Sequence, residues 1–150
     1  CTDFTAKEGQ SQQIDTLSLI DDGKNVLMNV NDCPIELAQS TFKDIKKQYD
    51  KINVLLTGYG GAGPYPQCFE NLNFEEKVIA AQSKEKQFLN QAIKYIDEIK
   101  PDYYFPFAGT YTLTGKLSNL QNLRGVSSID NAYNFFENYY SLKNLRKGDL

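Results

Sequence analysis

Gly58-Tyr-Gly60-Gly-Ala-Gly63 follows directly on an apolar run, Ile52 to Thr57, and matches G-x-G-x-x-G. That spacing lets a strand-to-helix turn cradle a pyrophosphate. The chemistry needs a helix to open at the third glycine, so that its N-terminal N–H groups reach the phosphates. Pro64 and Pro66 follow instead, and each pushes the residue before it out of the helical region. Glu85, the acidic residue nearest the place of a ribose partner, falls in a helical pattern rather than at a strand end. The dinucleotide reading fails on context. The segment predicts a buried strand that delivers a flexible, aromatic-tipped loop, Gly58 to Phe69, to one edge of a sheet. Two roles fit this loop. It folds over a substrate, with Tyr59, Tyr65 and Phe69 as contact surface and backbone N–H groups as anion donors, or its glycines simply permit tight backbone packing.

Asn29-Val-Asn31-Asp32-Cys33-Pro34 is the second candidate. A carboxylate where a buried strand gives way to a helix is positioned to ligate a metal or orient a base. From the residues alone the stronger reading is a helix N-cap at Asp32 or Cys33, a role in which Asp is among the best residues. Pro106-Phe107-Ala108-Gly109 ends a third strand at the same edge, as a pocket element or as an aromatic-packed terminus. Cys68 has neither a histidine nor an adjacent lysine to lower its pKa, which favours an inert core thiol over a nucleophile.

Composition narrows the chemistry further. The 150 residues contain no histidine, which removes Ser-His-Asp and Cys-His catalysis and any His-ligated metal site made by this chain alone. Three scattered cysteines, Cys1, Cys33 and Cys68, form no disulfide framework, so a reducing, cytoplasmic compartment is the default expectation. A lipoprotein cysteine at Cys1 would instead mean a lipid-anchored exterior protein. A net charge of −3 argues against general affinity for nucleic acid. No apolar run approaches the length of a membrane span. With 41% hydrophobic and 13% aromatic residues, the chain has the material for one domain with a sizeable core.

The elements that position these candidates follow from periodicity. Residues 1–14 are polar and patternless, a flexible entry segment. Thr16 to Ile20 and Val26 to Val30 alternate about the turn Asp21-Asp-Gly-Lys24, predicting a hairpin. Pro34 to Asp50 reads as a helix with Pro34 at its first position and Ile35, Ala38, Phe42, Ile45 and Tyr49 on one face. Ile52 to Thr57 reads as a strand covered on both faces. Asn73 with Glu76 suggests a capping box for a long helix toward Ile99. Phe88, Ala92, Ile96 and Ile99 face inward, the polar tract Gln82 to Gln87 is a candidate break, and Pro101 is the stop. Tyr103 to Phe107 is a buried aromatic strand, Thr110 to Ser128 is loop-like, and Ser128 caps a last helix carrying Ile129, Ala132, Tyr133, Phe136 and Tyr140. This order is that of a layered α/β domain. The hairpin looks as if it enters a sheet already begun, and Leu145 to Leu150 looks like a turn toward one more strand.

Taken in order, N-x-N-D-C-P, then I-N-V-L-L-T-G-Y-G-G-A-G-P-Y-P, then K-P-D-Y-Y-F-P-F-A-G resembles the C-terminal half of the metallo-β-lactamase superfamily over residues 15–150. The nearest branch is that of CMP-N-acetylneuraminate hydroxylase; N-acylphosphatidylethanolamine phospholipase D and L-ascorbate-6-phosphate lactonase are more distant. The resemblance implies half of a four-layer αββα sandwich, a mixed sheet flanked by helices, whose edge loops hold one or two metal ions, usually zinc, that activate a water. On that basis Asp32 corresponds to the metal carboxylate, and the substrate side comprises Gly58, Tyr59, Gly60, Gly61, Gly63, Tyr65, Phe107 and Gly109. It also implies a hydrolase-like activity on a phosphorylated or nucleotide-linked carbohydrate or lipid. The superfamily's H-x-H-x-D-H motif is absent, and Phe107 stands where some branches carry a metal histidine. The metal would then be held in a complete protein rather than by this chain alone, with a missing N-terminal half or a second copy covering the sheet. The alternative is a non-catalytic binding or interaction domain that uses the loop at residues 58–69.

Overall fold

The strands Ser18–Asp21 (β1), Val26–Asn29 (β2), Val54–Gly58 (β3) and Tyr103–Phe107 (β4) form a four-stranded mixed sheet in the order β1-β2-β3-β4. The computed structural model of the chain describes residues 17–141. The edge strand Ser18–Asp21 (β1) pairs antiparallel with β2 across the predicted turn, while β2, β3 and β4 run parallel. In that turn Gly23 has φ +84°, and the Asp21 and Asp22 carboxylates accept from the N–H groups of Gly23, Lys24 and Asn25. The bonds from the Asn25 and Lys24 N–H groups hold the Asp22 carboxyl below the usual range. The expectations for residues 1–14, for Thr16 and for Leu145 to Leu150 lie outside the described residues.

Parallel neighbours need crossovers, and helices Ile35–Gln48 (α1) and Phe74–Ile99 (α2) supply them. Both crossovers advance in one direction across the sheet, which puts both helices on one face. Phe42 of α1 meets Tyr95 of α2 edge-on at 5.7 Å between ring centres. The last helix, Ile129–Ser141 (α3), joins the same layer: Phe136 lies 6.1 Å from Tyr104 of β4, and the Tyr139 hydroxyl donates to Asp97 of α2.

Register makes the two sheet faces distinct. The row Leu19–Met28–Leu55–Tyr104 points at the helices, with Met28 and Leu55 fully buried. Each such side chain contributes about 1.5–3 kcal/mol. The next row, Ile20–Leu27–Val54–Tyr103, points the other way, as do Leu56 and Phe105, and lies outside the core. No helix among the described residues packs on that face. This corrects the expectation of strands buried on both sides: Tyr103 is 42% exposed, and Val54, Leu56 and Phe105 are half-buried. The class is α/β, with the α-helices segregated to one side.

Helix ends follow local chemistry. The Asn73 side chain accepts from the Glu76 N–H at 3.0 Å, and Glu76 accepts from the Asn73 N–H at 2.8 Å, closing the predicted capping box. The polar tract does not divide α2, which runs unbroken for 26 residues because its surface half needs no apolar stripe. Lys100 ends it in the left-handed conformation, φ +53°, before Pro101. The segment read as a loop contains a 3₁₀ helix, Gly115–Leu123. In α3 only part of the predicted face is inward: Ala132 and Phe136 are buried, while Ile129 and Tyr133 are exposed. No helix among the described residues is long and apolar enough to cross a membrane.

Candidate functional site

Because β2, β3 and β4 are parallel, their C-terminal ends share one edge, and the three candidate segments leave the sheet together. Asp32 follows β2, Gly58 closes β3, and Phe107, paired with Gly58 in the ladder, closes β4. Beside them lies a cleft of 540 Å³ lined by Asn31, Asp32, Thr57, Gly58, Gly60, Gly61, Phe88, Gln91 and Tyr95, among others.

The first wall is a tight turn. The Asn31 N–H donates to the Asn29 side chain at 3.0 Å and the Cys33 N–H to the Val30 carbonyl at 3.2 Å, which leaves Asp32 between them at φ +62°. A non-glycine residue there costs about 1–2 kcal/mol in general, less for Asp, whose short side chain bonds locally. Ala108, at the end of β4, is also left-handed at φ +50°. Two of the three left-handed non-glycine residues among those described thus sit at this edge, where strain is stored when function needs it. Asp32 does not cap α1. Pro34 occupies that position without a side-chain bond, and the exposed Asp32 carboxylate accepts from the Asn31 amide at 3.0 Å. The Asn31 amide oxygen is buried with no hydrogen-bond partner among the described residues. From α2, the Tyr95 hydroxyl donates to the Cys33 carbonyl at 2.5 Å and pins the turn; burial raises its pKa strongly.

The second wall is built by close approach. A Cβ on Gly58 would strike the Asn31 amide oxygen, and one on Gly60 would strike the Gly109 carbonyl. Gly61 lies against the Phe88 ring, and Gly109 leaves room for the Tyr59 ring. The strand alternation of Leu55 and Thr57 continues through Tyr59, so its ring is 6% exposed and packs edge-on against Phe136 at 6.5 Å. Tyr59 is therefore a core residue rather than contact surface, and desolvation raises its pKa. Phe107 and Gly109 adjoin the cleft without lining it.

The far part of the loop is strapped down. Gln67, 2% exposed, donates to the Gly63 carbonyl at 2.5 Å, and the Lys84 ammonium donates to the carbonyls of Tyr65 at 2.9 Å and Arg124 at 3.1 Å. Helix α2 starts only at Phe74, so no helix N-terminus faces Gly63. Tyr65 is 44% exposed, paired edge-on with Phe69 at 5.1 Å and away from the cleft. Tyr65→Ala should accordingly change stability by no more than about 0.5 kcal/mol in urea denaturation. A drop in Tm of several degrees would make this pair structural. Cys68 is exposed, not the core thiol expected; Cys33 is the buried one.

Sequence reasoning missed Phe88, Gln91 and Tyr95 as cleft residues. Their i, i+3, i+7 spacing was the available signal, since it puts them on one helical stripe. Among the described residues no group of three or more Cys, Asp or Glu side chains comes together. A tight zinc site takes about three or four protein ligands, so Asp32 and its neighbours do not fit a zinc ion unaided. Comparison with protein-family models, with curated proteins and with solved structures returns no match.

Proposed function

We propose that this chain forms one half of a metal-dependent, hydrolase-like enzyme of metallo-β-lactamase type, acting on a phosphorylated or nucleotide-linked carbohydrate or lipid. The supporting observation is the convergence of Asp32, the Gly58–Gly61 stretch and the end of β4 around one cleft, with left-handed residues on two of the three connections. The helix-free sheet face, carrying Ile20, Leu27, Val54, Leu56, Tyr103 and Phe105, suits a layer against a second sheet, supplied by the other half of the sandwich or by a second copy. In this reading Asp32 is the single carboxylate that the described residues bring to the cleft for a metal. The remaining ligands come from outside residues 17–141, so no catalytic step through a metal follows from the residues at hand.

The rival reading is a binding module. It is favoured by one fact: among the described residues Asp32 is the only acidic residue lining the cleft. Zinc stoichiometry and hydrolytic turnover of phosphorylated and nucleotide-linked sugars, measured on the polypeptide its reading frame encodes and on its Asp32→Asn variant, separate the two. The enzyme reading expects bound zinc and a turnover that Asp32→Asn cuts at least about 100-fold, in line with loss of an electrostatic group at a reacting centre. Ligand binding with neither zinc nor turnover would leave the binding module. For the 150 residues alone, dialysis against zinc should leave less than one equivalent bound.

A further inference from the structure

The charge and hydrogen-bonding character of the cleft decide which part of a ligand it can hold. The inference rests on the reading above, that this cleft is the site. Among the described residues its lining includes no Lys or Arg, and Asp32 is its one charged side chain. A phosphoryl group seated there would meet an exposed carboxylate and no cation, and unit charges of like sign a few ångströms apart repel even in water. The pyrophosphate geometry suggested by Gly58, Gly60 and Gly63 is also missing, since α2 opens eleven residues after Gly63.

The groups present point elsewhere. One oxygen of Asp32 takes the Asn31 amide at 3.0 Å, which orients the carboxylate and leaves its other acceptor sites open. Gln91 lies in the same lining and brings both a donor and an acceptor, and the half-buried Phe88 ring adds an apolar surface. A lining that mixes donors with acceptors suits hydroxyl groups, which are both. We infer that the cleft takes the uncharged, polyhydroxylated end of its ligand, a sugar ring whose neighbouring hydroxyls donate to Asp32 while its C–H face lies toward Phe88. Any phosphoryl or nucleotide group stays outside the cleft.

The test is an NMR titration of the chain, in buffer cleared of divalent cations, with galactose, N-acetylglucosamine and their phosphate esters. The free sugars should shift the amides of Asp32, Gly60 and Gly61, and the phosphate esters should bind about tenfold more weakly through charge repulsion. Asp32→Asn suits the left-handed backbone and keeps the fold. It should weaken the free sugars several-fold and bring sugar and phosphate ester to within about twofold of each other, because the repulsion is gone. Phosphate esters that bind the unmodified chain as tightly as the free sugars, or more tightly, overturn the inference while leaving the cleft as the site. Sugars and esters that both leave these amides unmoved overturn the cleft as the site as well.

Discussion

Gly60→Val is expected to lower stability by about 3 kcal/mol, because the new side chain must displace backbone rather than a flexible neighbour. The atom in its way is the Gly109 carbonyl, fixed just beyond the end of β4. For a chain of this size, that loss corresponds to a fall in Tm of about 6–12 °C. Gly63→Ala is the matched control. It meets no atom within 4 Å and needs no left-handed backbone, so its effect should stay within about 0.5 kcal/mol. If Gly60→Val melted with the unmodified chain, the loop would not be held against β4 as described. The cleft wall would then lose its physical basis.

Phe136→Ala should cost about 3–5 kcal/mol, the range for removing a buried aromatic ring. Phe136 is the point at which α3 grips the sheet, with ring centres 6.1 Å from Tyr104, 6.5 Å from Tyr59 and 5.6 Å from Phe135. The loss should also reach the cleft, because Tyr59 fills the space that Gly109 leaves and so sets where the glycine loop starts. Phe136→Leu, which keeps most of the volume, should cost much less, and urea denaturation of the three proteins would rank them. A cost under about 1 kcal/mol for the alanine variant would mean that α3 is docked by other contacts.

How far the sequence could be read depended on whether local chemistry decided the outcome. The Asn73–Glu76 box, the stop before Pro101 and the Asp-Asp-Gly turn are short-range devices, and the structure contains each of them. Where burial depends on distant partners, the pattern misled. Val54 and Leu56 are as apolar as Leu55, yet only Leu55 faces helices, because both crossovers lie on one side. The aromatic run Tyr103 to Phe105 has the same cause. In the site, the shared edge of Asp32, Gly58 and Phe107 was legible from strand order, whereas the inward turn of Tyr59 was concealed by attention to loop composition. Its place two residues after buried Thr57 carried the answer. Gln67 and Lys84 gave no signal, since their partners are backbone carbonyls that no side-chain pattern reports.

The left-handed backbone at Asp32 also limits what can stand there. Glycine, asparagine and aspartate adopt φ near +62° readily, while a branched or bulky residue would have to reopen the turn. The position thus has a small alphabet, and its letters share a backbone but differ in chemistry: an anion, a neutral amide or nothing. Charge at the mouth of the cleft can be turned on or off by a single exchange that leaves the surrounding architecture in register.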